Sequence, residues 1–168
     1  TFSVTGTDSK GCTGTASAFV TVNSLPSFSI TGSNLLCQGA SIVLGTTGSF
    51  SNYLWSNGAT SQTITVTTAG IYSVTVTNTD SCSASASTTI TQVTLPTIFV
   101  SSTNVTCLGA CNGTASVSSS GGGTGPFTFQ WSGGLGGAQN ITNLCVGTYT
   151  VTITDIKSCT ATSSVTIT

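Results

Sequence analysis

The sequence predicts an all-β protein built from tandem β-sandwich domains that disulfide bonds stabilise, and three observations support this prediction. Apolar and hydroxyl residues alternate with a period of two, as along 149–154, and helical periodicity is absent. The segment 147–159 recurs as 70–82 and, without its leading glycine, as 1–12. The chain also contains seven cysteines in 168 residues. Each copy of the repeated segment begins a β-hairpin, with its turn just before the cysteine.

The spacing of this repeated hairpin predicts the domain boundaries. Its final cysteine returns after about 70 residues and again after about 77, which is the size of a small sandwich domain. We therefore expect complete units at 25–94 and 95–168, each opened by a Leu-Pro pair that cannot continue a strand ladder. Residues 1–24 are expected to be the C-terminal hairpin of a unit whose first part lies upstream.

Short apolar or alternating runs predict the strands of each unit in order. In the first unit a strong turn signal, Asn57-Gly58, follows the third strand. The expected positions are 28–30, 35–44 with a break at 38–39, 53–55, 63–67 and the hairpin from 70. The second unit matches with 98–100, 107, 114–117, 127–131, 140–144 and the hairpin from 147.

Some seven short strands per unit, a tryptophan on the third and a Gly-x-Tyr before the last hairpin are typical of an immunoglobulin-like sandwich. We expect Trp55 and Trp131 to anchor the two cores, and Tyr72 and Tyr149 to form tyrosine corners. Carbohydrate stacking is the alternative role for the tryptophans. Core packing is favoured, because each tryptophan ends an alternating aromatic strand.

The cysteines predict three disulfide bonds. The first unit contains two cysteines, which we expect to bond to each other. In the second unit, one cysteine shares the Cys-x-Gly context and another ends the same hairpin turn, so these two are expected to pair likewise. The predicted pairs are Cys37–Cys82, Cys107–Cys159 and Cys111–Cys145, with Cys12 left without a partner.

The charge composition excludes several classes of partner. Charged residues make up 3% of the chain, and all five lie in the turn of the repeated hairpin. Two lysines form no basic patch, so nucleic acid is not expected as a partner. No apolar run approaches the ~20 residues that cross a bilayer, so membrane insertion is not expected either. Disulfide bonds predict an oxidising compartment, and hence an extracellular or cell-surface location.

No residue pattern predicts catalysis. The three carboxylates, Asp8, Asp80 and Asp155, are tens of residues apart, and hydrogen bonds to the turn backbone explain them. We expect no cofactor. Calcium is the alternative ligand of these turns, although a useful calcium site takes several carboxylates.

Three ordered motifs resemble a known repeat. The segments 107–117, 125–132 and 144–155 are similar to the SprB-type repeat of large surface adhesins of Bacteroidetes, including adhesins of gliding motility. The unit 25–94 resembles the looser Ig-like or PKD-like repeats of the same kinds of proteins. The resemblance implies a secreted, multi-repeat surface protein whose tandem domains act as spacers or adhesive modules, and it implies no catalytic residue.

Two functions remain from different classes. We favour a structural role, in which tandem sandwiches form a stalk, sheath or filament by self-association or with flanking repeats of the same protein. The alternative is an adhesin that binds a surface glycan or protein through glycine-rich loops, with Gly121, Gly125, Gly133 and Gly137 as candidate residues. Ice binding by the threonine rows is a distant third.

Overall fold

The computed structural model describes residues 1–107, 109–119 and 121–168 and is all-β. In these ranges the chain forms fifteen strands and one 3-10 turn at Ser132–Gly134. The strands group into an N-terminal hairpin and two sandwiches. We call β3–β9 the first sandwich and β10–β15 the second.

The first sandwich contains two sheets that face each other across one core. One sheet has the order β3-β5-β7 and the other β4-β9-β8-β6, and β4 pairs with β9 in parallel. A split first strand that touches both sheets, followed by Greek-key order, is the immunoglobulin-like arrangement. The strands are β3 Ile30–Thr31, β4 Leu35–Cys37, β5 Ile42–Thr46, β6 Asn52–Trp55, β7 Thr63–Val66, β8 Gly70–Thr77 and β9 Ser83–Val93.

The second sandwich repeats this arrangement with sheets β10-β11-β13 and β12-β14-β15. The segment after β10 runs beside the end of β15, where the Val105 N–H donates to the Thr168 carbonyl (3.2 Å). The strands are β10 Ile98–Thr103, β11 Gly113–Ser119, β12 Thr128–Trp131, β13 Asn140–Leu144, β14 Gly147–Thr154 and β15 Thr160–Ile167.

Each sandwich is built around its tryptophan, as the sequence predicts. Trp55 and Trp131 are 2% and 1% exposed at the centres of two separate apolar clusters. Each indole N–H donates to a carbonyl of the following loop, at Ser61 and Ala138 respectively, over 2.9 Å in both cases. These bonds satisfy the one polar group of each side chain, so the rings are core residues.

The tyrosine corners are also present. The Tyr72 hydroxyl donates to the Thr68 carbonyl and the Tyr149 hydroxyl to the Cys145 carbonyl, both over 3.0 Å. In each case the acceptor lies four residues upstream, on the connection into the hairpin. The bond fixes the entry of β8 and β14, and both rings pack against their cores.

The outer faces carry hydroxyl groups that bond to one another. Thr75 pairs with Ser85 (2.8 Å) and Thr77 with Ser83 (3.0 Å) across β8 and β9. Equivalent cross-strand pairs join Thr148 with Thr166 and Thr103 with Thr114. The residues of each pair lie directly opposite each other in the strand register. These Ser and Thr pairs therefore stabilise the contact between neighbouring strands, as oppositely charged pairs do on other sheets.

The N-terminal hairpin consists of β1 Phe2–Thr7 and β2 Thr13–Ala18, and every residue in it is exposed. The second strand ends at Ala18, although the apolar alternation of the sequence continues to Val22. Phe2 and Val4 are 70% and 66% exposed, whereas Val74, which matches Val4 in the repeat, is 1% exposed. Among the described residues nothing covers the apolar face of this hairpin.

Candidate functional site: the junction between the sandwiches

The same turn closes all three hairpins. Asp155 Oδ1 accepts the backbone N–H groups two and four residues later, over 2.9 and 2.8 Å. Asp8 and Asn78 accept the equivalent pairs in the other two copies. This is an Asx turn, in which a side-chain oxygen organises the backbone. In the first sandwich this role was expected of Asp80, but Asn78 performs it.

The residue before the turn cysteine adopts a left-handed conformation in every copy. The φ angles are 85° at Gly11, 62° at Ser81 and 66° at Ser158. Only the first copy uses glycine there, the residue for which this conformation carries no steric penalty. The identical backbone places Cys12, Cys82 and Cys159 at equivalent positions at the hairpin tips.

A second corner is also repeated, between the first strand and the next. In the first sandwich the Ala40 N–H donates to the Cys37 carbonyl, and in the second the Ala110 N–H donates to the Cys107 carbonyl, both over 3.0 Å. The intervening glycines have φ angles of 78° and 84°. We call this the Cys-x-Gly corner, and its two copies share this hydrogen bond and the left-handed glycine.

One corner and one hairpin tip meet at the junction between the sandwiches. Cys37 of the first sandwich is bonded to Cys159 of the second, with a Cα–Cα distance of 5.6 Å and a sequence separation of 122 residues. Cys159 is 0% exposed. A cleft of about 300 Å³ lies beside the bond, lined in part by Gln38, Leu95 and Ser158. The two sandwiches are therefore joined covalently as well as by the chain.

The predicted pair Cys37–Cys82 is wrong, and strand geometry explains why. Cys37 lies opposite Val93 at the far end of β9, whereas Cys82 immediately precedes Ser83 at its start. β9 has eleven residues, and at ~3.3 Å per residue its ends are about 33 Å apart. A disulfide needs Cα atoms within ~7 Å.

The predicted pair Cys107–Cys159 is wrong for the same reason. Cys159 precedes the eight-residue strand β15, and Cys107 follows the segment beside the end of that strand. The distance is therefore about 26 Å by the same rise per residue. The third predicted bond, Cys111–Cys145, is present. Three cysteines of the described chain are free: Cys12 and Cys107 are exposed, and Cys82 is half-buried.

The candidate loop from Gly121 to Gly125 lies at the junction. The Thr97 N–H donates to the Gly121 carbonyl, and the Thr124 N–H donates to Asp155 Oδ2 over 3.0 Å. At Gly122 an added Cβ would collide with the Leu95 carbonyl. Glycine is therefore required here by a close backbone approach. The loop thus connects the segment before β10, through Thr97, to the hairpin turn at Asp155 by hydrogen bonds.

The second candidate loop, which contains Gly133 and Gly137, follows β12 and is exposed. Gly133 and Gly136 have φ angles of 70° and 82°, and a Cβ at either would meet open space. The Trp131 N–H donates to the Gly136 carbonyl (3.0 Å), which anchors the loop to the core strand. At Gly137, by contrast, an added Cβ would lie 2.7 Å from the Phe129 carbonyl oxygen. The room for a ligand in this loop is therefore at Gly133 and Gly136.

The described residues contain no group of three or more His, Cys, Asp or Glu side chains placed to hold a metal ion. In the same part of the chain, none of the helical segments has the length and apolarity needed to cross a bilayer.

Comparison with known proteins identifies one segment and several weak likenesses in fold. The C-terminal 282-residue fragment of intimin, solved with the intimin-binding domain of its translocated receptor, aligns over 86% of this chain at 14% identity and a TM-score of 0.46. This chain spans 64% of that fragment's length. The amphioxus IgVJ-C2 molecule aligns over 80% of this chain and 99% of its own (19% identity, TM-score 0.34). Murine CEACAM1b aligns over 84% of this chain and 99% of its own, at 12% identity and a TM-score of 0.36.

These TM-scores are below 0.5, so the immunoglobulin-like assignment rests on the strand order above. A search of curated proteins gave no match. Residues 100–136 match the family model described as the SprB repeat. The match includes Cys107, Cys111, the loop 121–125 and Trp131. SprB repeats occur in cell-surface proteins, and the two disulfide bonds suit an extracellular location. The second sandwich of this chain thus contains a segment that matches the SprB repeat.

Proposed function

We propose that this chain is a non-catalytic structural region of a secreted surface protein, in which tandem sandwiches form a stalk, sheath or extracellular filament. One observation carries the proposal: the Cys37–Cys159 bond joins the end of one sandwich to the tip of the next. A single linker leaves neighbouring domains free to move relative to each other. A second covalent connection restrains that motion, and a stiff rod requires such restraint between its domains.

The exterior supports the same role. With 3% charged residues and outward hydroxyls bonded in pairs, neighbouring molecules do not repel each other. Lateral packing of such surfaces is insensitive to salt and depends little on pH, because few groups titrate.

The test compares two double variants that each remove one bond. Cys37→Ser/Cys159→Ser removes the link between the sandwiches, and Cys111→Ser/Cys145→Ser removes the link within the second. We expect small-angle X-ray scattering to show a stiff, elongated particle for the wild type and the second variant. For the first variant we expect a broader distribution of maximum dimensions. Equal flexibility in all three proteins would contradict a rod stiffened by the Cys37–Cys159 bond.

Adhesion is the rival function, and the exposed loop around Gly133 is the observation that favours it. The rival predicts saturable binding to a glycan or protein array that is lost when 133–137 is replaced by a tight turn. The structural role predicts no such binding. Replacement of 133–137 rather than 121–125 is the informative change, since the loop 121–125 holds the junction between the sandwiches together.

A further inference from the structure

We propose that consecutive repeats of this protein are cross-linked in series by disulfide bonds of the Cys37–Cys159 type. The free thiol of Cys107 forms a disulfide bond with the hairpin-tip cysteine of a further repeat. The free thiol of Cys82 forms one with the Cys-x-Gly cysteine of another repeat. The partner is thus a repeat of the same kind as those in this chain. This proposal rests on the proposed structural function, and it means that the bond seen between the two sandwiches recurs between all consecutive repeats.

Cys107 occupies a preformed half of such a disulfide site. Its corner has the same alanine-to-cysteine hydrogen bond and the same left-handed glycine as the corner of Cys37, which is bonded. Among the described residues, the Cys107 thiol makes one weak hydrogen bond, to Thr106 Oγ1 over 3.8 Å. Cys107 is exposed, so a partner can reach it.

The hairpin tips are the complementary half-sites. Cys12 and Cys82 end the same Asx turn as Cys159, with the same pair of backbone hydrogen bonds. Cys159 is completely buried against the first sandwich, whereas Cys82 is half-buried and Cys12 is exposed. The difference in exposure is the difference between a filled and an open half-site.

The polarity of the sandwich decides how these half-sites combine. The Cys-x-Gly corner and the hairpin tip lie at opposite ends of one sandwich, about 33 Å apart along β9. A sandwich therefore cannot close a bond on itself, and the corner of one unit meets the tip of the next. Such a contact is heterologous, and heterologous contacts that do not close into a ring generate open chains.

The bond forms by oxidation of two thiols. Each thiol loses one proton and one electron, and the two sulfur atoms join. The two electrons and two protons reduce the disulfide of a thiol–disulfide oxidoreductase, or of oxidised glutathione, to two thiols. Exchange begins from a thiolate, and both proposed partners are reachable from solvent before they pair.

The further repeat can belong to the same polypeptide or to a second copy of this chain. The chemistry is the same in both cases, namely a corner thiol and a tip thiol. In a second copy, Cys12 is the most accessible tip thiol, so Cys107–Cys12 is the bond expected between copies. Within one longer polypeptide, Cys107 would pair with the tip cysteine of the repeat that follows.

The first experiment treats the purified chain with oxidised glutathione, then separates it on non-reducing gels and maps disulfide-linked peptides by mass spectrometry. We expect a ladder of multimers linked through Cys107 and a tip cysteine. Cys107→Ser should abolish that ladder, and so should Cys12→Ser combined with Cys82→Ser. Cys107→Ala should reproduce the loss while retaining the thermal unfolding midpoint, which separates loss of the link from loss of fold. Cys107–Cys107 bonds, tip-to-tip bonds, or a Cys107 that stays fully alkylatable would overturn the inference.

The second experiment traps thiols in native surface material by alkylation before extraction. Cys107 linked to a tip cysteine in a species of single-chain mobility identifies the flanking repeat as the partner. The same link in multimers identifies a second copy. Alkylated Cys107 throughout the extracellular material would overturn the inference. Neither result depends on the scattering comparison of Cys37→Ser/Cys159→Ser, so the cross-linking rule and the stalk proposal can fail separately.

Discussion

Replacement of Ser81 by glycine should stabilise the first sandwich, because Ser81 holds a backbone conformation that suits glycine. Its φ angle is 62°, in the left-handed region. The side chain is exposed and makes no hydrogen bond in the described structure. The first copy of the same turn has Gly11 at this place, with φ at 85°. The substitution therefore changes the backbone energetics and leaves the contacts of the fold intact.

The magnitude follows from two opposing terms. Relief of the left-handed conformation contributes about 1–2 kcal/mol for a residue with a Cβ. The greater freedom of glycine in the unfolded chain removes about 0.4–1 kcal/mol of that gain. The net increase in the free energy of unfolding is about 0.5–1 kcal/mol. For a unit of this size that raises the midpoint by roughly 2–8 °C.

The assay is thermal unfolding followed by circular dichroism, with Ser87→Gly as the matched control. Ser87 is an exposed serine of the same hairpin, but it lies in the extended strand β9. Glycine there should lower the stability by about 0.5–1 kcal/mol. If Ser81→Gly lowered the midpoint as Ser87→Gly does, the left-handed strain at Ser81 would not exist in the folded protein, and the reasoning would be refuted. Ser158→Gly should repeat the gain in the second sandwich.

Three further predictions test the corner, the junction and the hairpin. Tyr149→Phe removes the bond to the Cys145 carbonyl and should lower the free energy of unfolding by about 0.5–1.5 kcal/mol, measured by denaturant titration. Gly122→Ala should lower the thermal midpoint more than Gly133→Ala, since both have left-handed φ angles but only the Cβ at 122 meets backbone, at Leu95. Hydrogen exchange monitored by mass spectrometry should be much faster in β1 than in the equivalent β8, because an uncovered two-stranded hairpin is marginally stable; equal protection would show that something covers the face of Phe2.

The strands were predictable because their signals are local. Alternation of apolar and hydroxyl residues marks one buried face, and β8 and β14 begin at the predicted glycines. The turn signal Asn57-Gly58 correctly predicted that the strand β6 ends just before it. The end of β2 was not predictable from alternation, because Phe19, Val20 and Val22 continue the apolar pattern without a core to bury them.

The function of the glycine-rich loops was not visible in the sequence. Runs of glycine mark both the loop 121–125 and the loop 133–137, and composition does not distinguish them. The structure does, because Gly122 lies against the Leu95 carbonyl whereas Gly133 meets open space. Close approach between a loop and a linker depends on how two chain segments meet in three dimensions. A sequence pattern within one loop contains no information on that contact.

The disulfide pairing is the feature that the sequence repeats could not predict. Repetition correctly identifies Cys37 with Cys107 and Cys82 with Cys159 as equivalent positions, but equivalence does not say which position bonds to which. Nearness in sequence favours Cys82 over Cys159 as the partner of Cys37, with a loop of about 45 rather than 122 residues. That preference is worth only about 1 kcal/mol of closure entropy. It cannot overcome a rigid strand that holds the two sulfur atoms about 33 Å apart. Strand length therefore decides the pairing. It excludes the bond Cys37–Cys82 within one sandwich, and Cys37 bonds instead to Cys159 of the next sandwich.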